Sequence, residues 1–477
     1  MARFFKYKTV PDLLEENARL GIDIRLCDQL EYLEDGARVG GRLVGNRWCV
    51  HPMEGCDGEP DGRPGELTYR RYNRFGAGGA KLIWGEACAV NEEGRANPRQ
   101  IVLNEATKDC FAKLVHDCRE HHRRACGRDD DFLFGLQLTH SGRYSYRRPI
   151  IAIHDPLLDP RTFVDKTTGR KVDESYPLIT DDELSRLVDD YVKAARLARE
   201  VGFDFVDVKQ CHRYLLNELL GARQRPGKYG GSLENRTRLA REIFQAIRAA
   251  EPDLILATRM NVFDGIPFRK ATSGDGEADV FASPVVNGWG MAPENPLAVD
   301  LAEPILWIAE MERLGVSLIN VTLGNPYAQP HFGRPFEYPP PDGYESPEHP
   351  LIGVDRHFRV TATLQRHFPA LPFVGTGYSY LQEFLPQAGA ANLRDSRVSF
   401  VGIGRASLAQ PDVPLQVKNH GRLDRRRVCR TFSYCTAIMR AKDHPLGQFP
   451  TGCPPFDKEA YGDIWKDVQQ LTTRTPK

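Results

Sequence analysis

The 477-residue chain predicts an α/β fold, a closed (β/α)8 TIM barrel with long loop insertions over its C-terminal mouth. Three observations carry that expectation. Short apolar runs alternate with amphipathic helical patterns from about Arg47 to about Gln416, as in a parallel sheet with crossover helices. About eight such runs over some 370 residues suit a barrel. No G-x-G-x-x-G opens a βαβ unit, so a Rossmann dinucleotide domain is not supported. A doubly wound open sheet is the competing arrangement on pattern alone.

The elements read as follows. "NRWCVHPM" and "GGAKLIWGEACAV" are the first two strands. "NEATKDCFAKLVHDCREH" sets Phe111, Leu114 and Val115 on one side of a helix. "FLFGLQLTH" is a buried strand. "TDDELSRLVDDYVKAARLAREVG" is a helix opened by a Thr180–Glu183 capping box and closed at Gly202. "FDFVDV" is the next strand and "LENRTRLAREIFQAIRAA" the next helix. "LILATRMN", "SLINVTLG", "PFVGTG" and "VSFVGIG" complete the strands, separated by "AEPILWIAEMERLG", "HFRVTATLQRHF" and "YLQEFLPQAG" as helices. Residues 1–417 form the barrel with an N-terminal extension. Two Gly- and Pro-rich insertions, about 272–295 and 327–350, read as loops over the mouth. Residues 418–477 form a Cys- and Pro-containing tail expected to pack on the barrel.

Composition excludes several function classes. Lys plus Arg and Asp plus Glu both number 64, so no net field favours nucleic acid or an anionic membrane; the run Arg425–Arg427 reads as solvated surface. No segment approaches the roughly 20 apolar residues that cross a bilayer. The N-terminus lacks a secretory pattern, and eleven scattered cysteines suggest reduced thiols. A cytoplasmic location is expected.

In a barrel the polar residues just after each strand converge on one mouth. Two of the late turns, "VGTG" (Val374–Gly377) and "GIGRASL" (Gly402–Leu408), lead into helices with glycines at the bend. Such turns let backbone N–H groups approach an anion, and Arg405 adds a cation. The pair points to a phosphorylated cofactor. No Walker loop, H-E-x-x-H helix or G-x-S-x-G elbow is present.

"KYGGSLENRTRLAREIFQAIRA" (Lys228–Ala249) resembles the signature of the old yellow enzyme family of FMN-dependent NADH:flavin oxidoreductases. "HPMEG", "GGAKLIWGEACAVNEEGR", "LQLTHSGRYS", "HRYLLNELL", "TRM", "FVGTG" and "VGIGRASLAQPD" follow in the family's order, over about Leu43 to Asp412. The style is closest to the barrel of bacterial dienoyl-CoA reductases and trimethylamine dehydrogenase. The resemblance implies FMN across the mouth, with Pro52, Met53 and Glu54 beside it and Glu86 and Ala87 near its pyrimidine edge. It implies Gln137 on the ring, Arg259 near N1 and O2, and Gly375, Thr376, Gly377, Gly404 and Arg405 on the phosphate. It implies hydride transfer between NAD(P)H and an activated C=C or carbonyl-conjugated small molecule. Oxidation of a C–N or C–H bond, and a barrel that binds flavin without turnover, are the alternatives. A homo-oligomer and an electron-transfer partner are both compatible with it.

The family usually places His, then His or Asn three residues on, then Tyr two further. Here the stretch "FDFVDVKQCHRYLLNELLG" supplies Lys209, His212 and Tyr214. By resemblance, Tyr214 donates a proton and His212 clamps a substrate oxygen. Lys209 departs from the pattern: it steadies a developing oxyanion, or acts as a neutral amine base where the flavin and Arg259 lower its pKa, or pairs with Asp207 or a lid carboxylate. The tail departs too. Larger relatives carry a four-cysteine iron–sulfur motif there, whereas this tail offers Cys429, Cys435 and Cys453. The expectation is a lost cluster and no metal; zinc on those cysteines and His444 is the weaker alternative. With no further nucleotide-binding domain in the chain, the reductant is expected at the barrel mouth or through a partner protein.

Overall fold

The computed structural model describes residues 4–474. Eight parallel strands close into a barrel: β1 Trp48–Val50, β2 Leu82–Ala89, β3 Leu133–Thr139, β4 Phe205–Val208, β5 Ile255–Asn261, β6 Val316–Thr322, β7 Phe373–Gly375 and β8 Phe400–Ile403. Closure is by β8 on β1, where Val401 pairs with Trp48 and Ile403 with Val50. Every run read as a barrel strand is one. The outer helices are α1 Glu66–Ala77, α2 Lys108–Cys126, α3 Asp181–Glu200, α4 Leu233–Ala250, α5 Ala302–Arg313, α6 Pro350–His367, α7 Leu385–Arg394 and α8 Val413–His420. α3 starts as expected: Glu183 N–H donates to Thr180 Oγ1 at 3.2 Å, and Thr180 N–H to Glu183 Oε2 at 2.8 Å. These bonds satisfy two N-terminal amides that no helical carbonyl reaches. Leu184, Leu187, Tyr191, Ala194 and Ala198 then form the buried stripe.

The bottom of the barrel is filled. Val39 and Val44, from the hairpin Ala37–Val39/Arg42–Val44, join Cys49, Leu82, Trp84, Leu133, Phe205, Ile255 and Phe400 in one apolar cluster. The hairpin lies so close that a Cβ on Gly40 would meet Ile255 at 2.7 Å. Among the described residues this leaves the C-terminal mouth as the barrel's open end.

Sequence patterning differs from the structure at several points. α1 has no counterpart in the reading of apolar runs, because its buried side carries Thr68, Arg71 and Tyr72 beside Phe75; a buried arginine breaks the apolar period. The segment read as one helix, "YLQEFLPQAG", is a 3-10 stretch Tyr378–Phe384 followed by α7, with a break at Gln382, φ +52°. Pro386 sits at the start of α7, where its missing N–H has no partner to lose. The segment 272–295 is built around two antiparallel hairpins, Phe268–Lys270 with Gly276–Ala278 and Met291–Ala292 with Asn295–Val299. No helix of the described residues is long and apolar enough to cross a membrane.

The tail adds α9 Tyr434–Arg440 and α10 Lys458–Arg474. Ile438, Phe449 and Val468 form a small core of their own. Asp457 ties this unit to α1 by ion pairs with Arg70 and Arg74.

Candidate functional site

One cavity opens at the C-terminal ends of the strands, enclosing about 1300 Å³ of empty space with the solvent at its opening included. The strand ends contribute His51, Pro52, Met53, Glu54, Ala87, Gln137, Lys209, Arg259 and Thr322. The late turns contribute Thr376, Gly377, Ser379, Gly402, Gly404 and Arg405. Tyr327, Arg334 and Pro335 enter from the segment after β6, and Cys435, Thr436, Met439, Arg440 and Thr451 from the tail. Of the two insertions read as loops over the mouth, only the second reaches the cavity.

Of the residues singled out from sequence, Glu86 and Gly375 do not line it. Glu86 is displaced by a β-bulge. Trp84 pairs with Gly135 and Ala87 with Gln137, so Gly85 and Glu86 together face the single Leu136, and the alternation of sides inverts. Trp84 and Ala87 therefore both face the barrel interior, while the Glu86 carboxylate bonds Arg71 and accepts from Gly55 N–H at 2.6 Å. Arg71 also pairs with Asp57, and the three side chains are at most 4% exposed. This buried triad pins the loop after β1 that carries Met53 and Glu54. Gly375 lies beneath the cavity; its carbonyl oxygen stands 2.3 Å from where a Cβ on Gly402 would be.

His51 is a site residue that the sequence reading passed over, although "HPMEG" contains it. Asn320 Nδ2 donates to His51 Nδ1 at 3.0 Å. Thr376 gives its hydroxyl proton to Val321 O at 2.8 Å, so its oxygen accepts from His51 Nε2–H at 3.2 Å. The ring is thereby held as the Nε2–H tautomer, and burial keeps its pKa well below the ordinary histidine value.

β4 and the turn after it present Lys209, His212 and Tyr214. The Lys209 ammonium lies 3.7 Å from the centre of the Tyr214 ring, a cation–π contact. Asp207, two residues earlier, is committed elsewhere: it accepts from Trp84 Nε1, Gln137 Nε2 and Arg259 N–H. No ion pair joins Lys209 to a carboxylate among the described residues, and burial lowers its pKa. His212 and Arg213 both have positive φ, +65° and +58°. That conformation is costly for a side chain with a Cβ, and it is held by the buried Arg213–Asp264 pair at 3.2 Å. His212 faces the cavity with its pKa pushed well below the usual value by burial and then by Arg259 and Lys209; it is a neutral imidazole.

Tyr214, 1% exposed, shares a hydrogen bond of 2.9 Å with Tyr327, which is 41% exposed. The two rings are parallel within 7°. Tyr144 packs 4.5 Å from the Tyr327 ring, and its hydroxyl accepts from Asn325 Nδ2 at 2.7 Å. Two phenols of the cavity wall are thus joined through their hydroxyls, the buried Tyr214 to the more open Tyr327. Tyr327 sits in a Pro-rich segment with no strand–helix pattern, which is why the sequence alone did not single it out.

The cavity is strongly cationic. Lys209, Arg259, Arg334, Arg405 and Arg440 line it against one carboxylate, Glu54. Arg259 donates to Pro52 O at 3.2 Å, and its Nε has no partner. Arg405 donates to Pro335 O at 2.6 Å, and its Nη1 has none. Burial pushes Glu54 up to about 7, with Lys209 opposing. The folded state therefore keeps this proton longer than the unfolded chain, where the group titrates near 4.5. The associated stability is full below 4.5 and is lost as pH rises through about 7. Glu54→Gln is expected to raise the urea midpoint of unfolding at pH 8 relative to the parent and to leave it unchanged at pH 4.5. Equal shifts at both pH values would contradict this titration.

Cys429, Cys435 and Cys453 line a second, mostly apolar cavity on the far side of Arg405 and Leu408. All three are free thiols, and His444 packs on Phe449 instead. No group of three or more metal-ligating side chains among the described residues stands close enough to hold an ion.

A model of the NADH:flavin oxidoreductase / NADH oxidase family matches residues 37–289. An NADPH dehydrogenase of Geobacillus sp. (strain WCH70) is 26% identical over 298 residues, 61% of this chain and 72% of that one. Among solved structures, a 2-naphthoyl-CoA reductase complex superposes with a TM-score of 0.66 at 18% identity, over 92% of this chain and 58% of its own. An old yellow enzyme homologue from Zymomonas mobilis superposes at 0.56 and 20% identity, over 84% and 96%. The chain thus spans under two thirds of the naphthoyl-CoA reductase and almost all of the shorter protein.

Proposed function

We propose, since the chain belongs to the NADH:flavin oxidoreductase / NADH oxidase family, that its mouth cavity holds FMN and that it moves hydride between a reduced pyridine nucleotide and an activated C=C or carbonyl-conjugated substrate. One observation carries the reading: a single deep cavity gathers unpartnered buried guanidinium atoms of Arg259 and Arg405 around two glycine turns. The turns are open to it. A Cβ on Gly404 would touch only Met53 Sδ and His51 carbons, none nearer than 3.4 Å, and Gly377 adopts φ +104°. These residues fit a flavin phosphate and ring.

Bound FMN would supply the acceptance and release of hydride. Gly377, Ser379, Gly404 and Arg405 would hold its phosphate, while Pro52, Met53, Ala87, Gln137 and Arg259 would flank its ring. Arg259, fixed by Pro52 O, keeps a cation where negative charge develops. His212, as a neutral N–H donor, and Lys209, through its side-chain N–H groups, would receive a substrate oxygen. Tyr214 gives its hydroxyl proton to the substrate carbon. Tyr327 then passes its own proton to the Tyr214 oxygen and regains one from water at its exposed edge. The Tyr214 pKa stands well above 10, from burial and then Tyr327; the residue enters each cycle protonated.

The test is the anaerobic absorption spectrum of the purified full chain. Bleaching of a yellow protein by NADH or NADPH, with colour restored by an enone, is expected. Bleaching by a small amine or alcohol alone would favour oxidation of a C–N or C–H bond. No turnover with any reductant would leave a flavin-binding barrel only, and about four irons per chain would overturn the expected absence of a cluster.

A further inference from the structure

The positive charge of the cavity exceeds what a flavin phosphate needs. Five cations face Glu54, Asp342 pairs with one of them, and a phosphate monoester adds about two negative charges, so an excess of about one remains. It is not spread evenly. Arg334 shares the cavity wall with Arg405 and Arg440, and burial followed by Arg440 and then Arg405 pulls its pKa down to about 9. Its Nη1 donates to Thr436 Oγ1, and its Nε is buried with no partner. Among the described residues it has no carboxylate within ion-pair distance. Arg440 is held by Pro326 O at 3.1 Å and by Asp342 at 3.0 Å, the latter 62% exposed. Pro326 directly precedes Tyr327, so Arg440 is fastened to the side of the cavity that carries the Tyr214–Tyr327 pair.

The geometry points to a second anion subsite, formed by Arg334, Arg440 and the Thr436 hydroxyl, that takes a phosphate or carboxylate of the molecule meeting the flavin. It deepens the flavin reading and rests on it. Two guanidinium groups give forked donors suited to such anions. The Thr436 oxygen, which accepts from Arg334, keeps its own proton for a further acceptor. The residues come from the insertion after β6 and from α9, outside the residues 37–289 that the family model matches. The subsite sits at the mouth, where it would select ligands.

FMN-loaded R440Q and R334Q enzymes test it against inorganic pyrophosphate as inhibitor, NADPH against NADH, and 2-cyclohexenone against a carboxylated analogue. Pyrophosphate inhibition is expected to weaken by roughly ten- to a hundredfold, the value of one charge-assisted contact. The KM ratio of an anionic to a less charged ligand should rise by the same factor. A rise for NADPH over NADH assigns the anion to the nucleotide; a rise for the carboxylated enone assigns it to the acceptor. If R440Q keeps its flavin spectrum and all three readings stay within about twofold, the subsite is overturned. R334Q that loses FMN while R440Q is unmoved would hand Arg334 to the flavin phosphate and also overturn it. A parent chain that takes up no FMN removes the flavin reading itself, and the subsite with it.

Discussion

Tyr214→Phe slows reoxidation of the reduced enzyme by an enone by roughly 10²- to 10⁴-fold, the range for loss of a positioned general acid. Reduction by NADPH is expected to continue at a rate close to the parent's, because that half of the cycle needs no proton from this phenol. The separation is what identifies the role. Phenylalanine keeps the ring against Lys209 and Tyr327, so packing is retained, and stopped-flow absorbance reads the two half-reactions independently. If both slow together, Tyr214 is positioning ligands rather than giving a proton. Tyr327→Phe should cost less, roughly tenfold, since Tyr214 keeps its own proton for delivery and loses a single hydrogen bond. The Tyr327 substitution separates supply of the proton from its delivery.

Arg71→Met is expected to remove about 3–5 kcal/mol of stability, because it leaves the Asp57 and Glu86 carboxylates buried without their cation. The side chains of both acids are at most 2% exposed, so water cannot replace the guanidinium. The loss should shrink as pH falls. Burial already raises the Glu86 pKa; without Arg71 it rises further, so Glu86 takes up a proton at mildly acidic pH and its burial penalty falls. Equilibrium urea unfolding at pH 5 and pH 8 measures this. A cost below about 1 kcal/mol at pH 8 would place the triad among exposed ion pairs of little value. Adding Glu86→Gln to Arg71→Met should recover part of the loss.

The barrel was legible because its strands are buried on both sides and read as continuous apolar runs, and because helices such as α3 declare their ends through Thr180 and Glu183. The strand-end residues of the site were legible for the same reason. What escaped lay where the period fails. α1 turns Arg71 inward. The bulge at Gly85–Glu86 flips one side chain out of the cavity and brings Ala87 in, and nothing local in "WGEAC" announces it. Tyr327, Arg334 and Arg440 belong to segments without barrel periodicity, and only the folded chain brings them to Arg405. His51 lies within "HPMEG", yet its role depends on Asn320 and Thr376, far away in sequence. Patterns report which face of an element is buried; they do not report which distant side chains share a wall.

The hairpin that fills the foot of the barrel has a kinetic consequence. A chamber stoppered at one end has a single doorway, and whatever leaves must pass the place where the next molecule arrives. On the proposed reading, donor and acceptor cannot queue from opposite sides. Each has to vacate before the other enters, so the order of events in a turnover is set by traffic through one opening, and a ligand that lingers at the arginines beside it delays both.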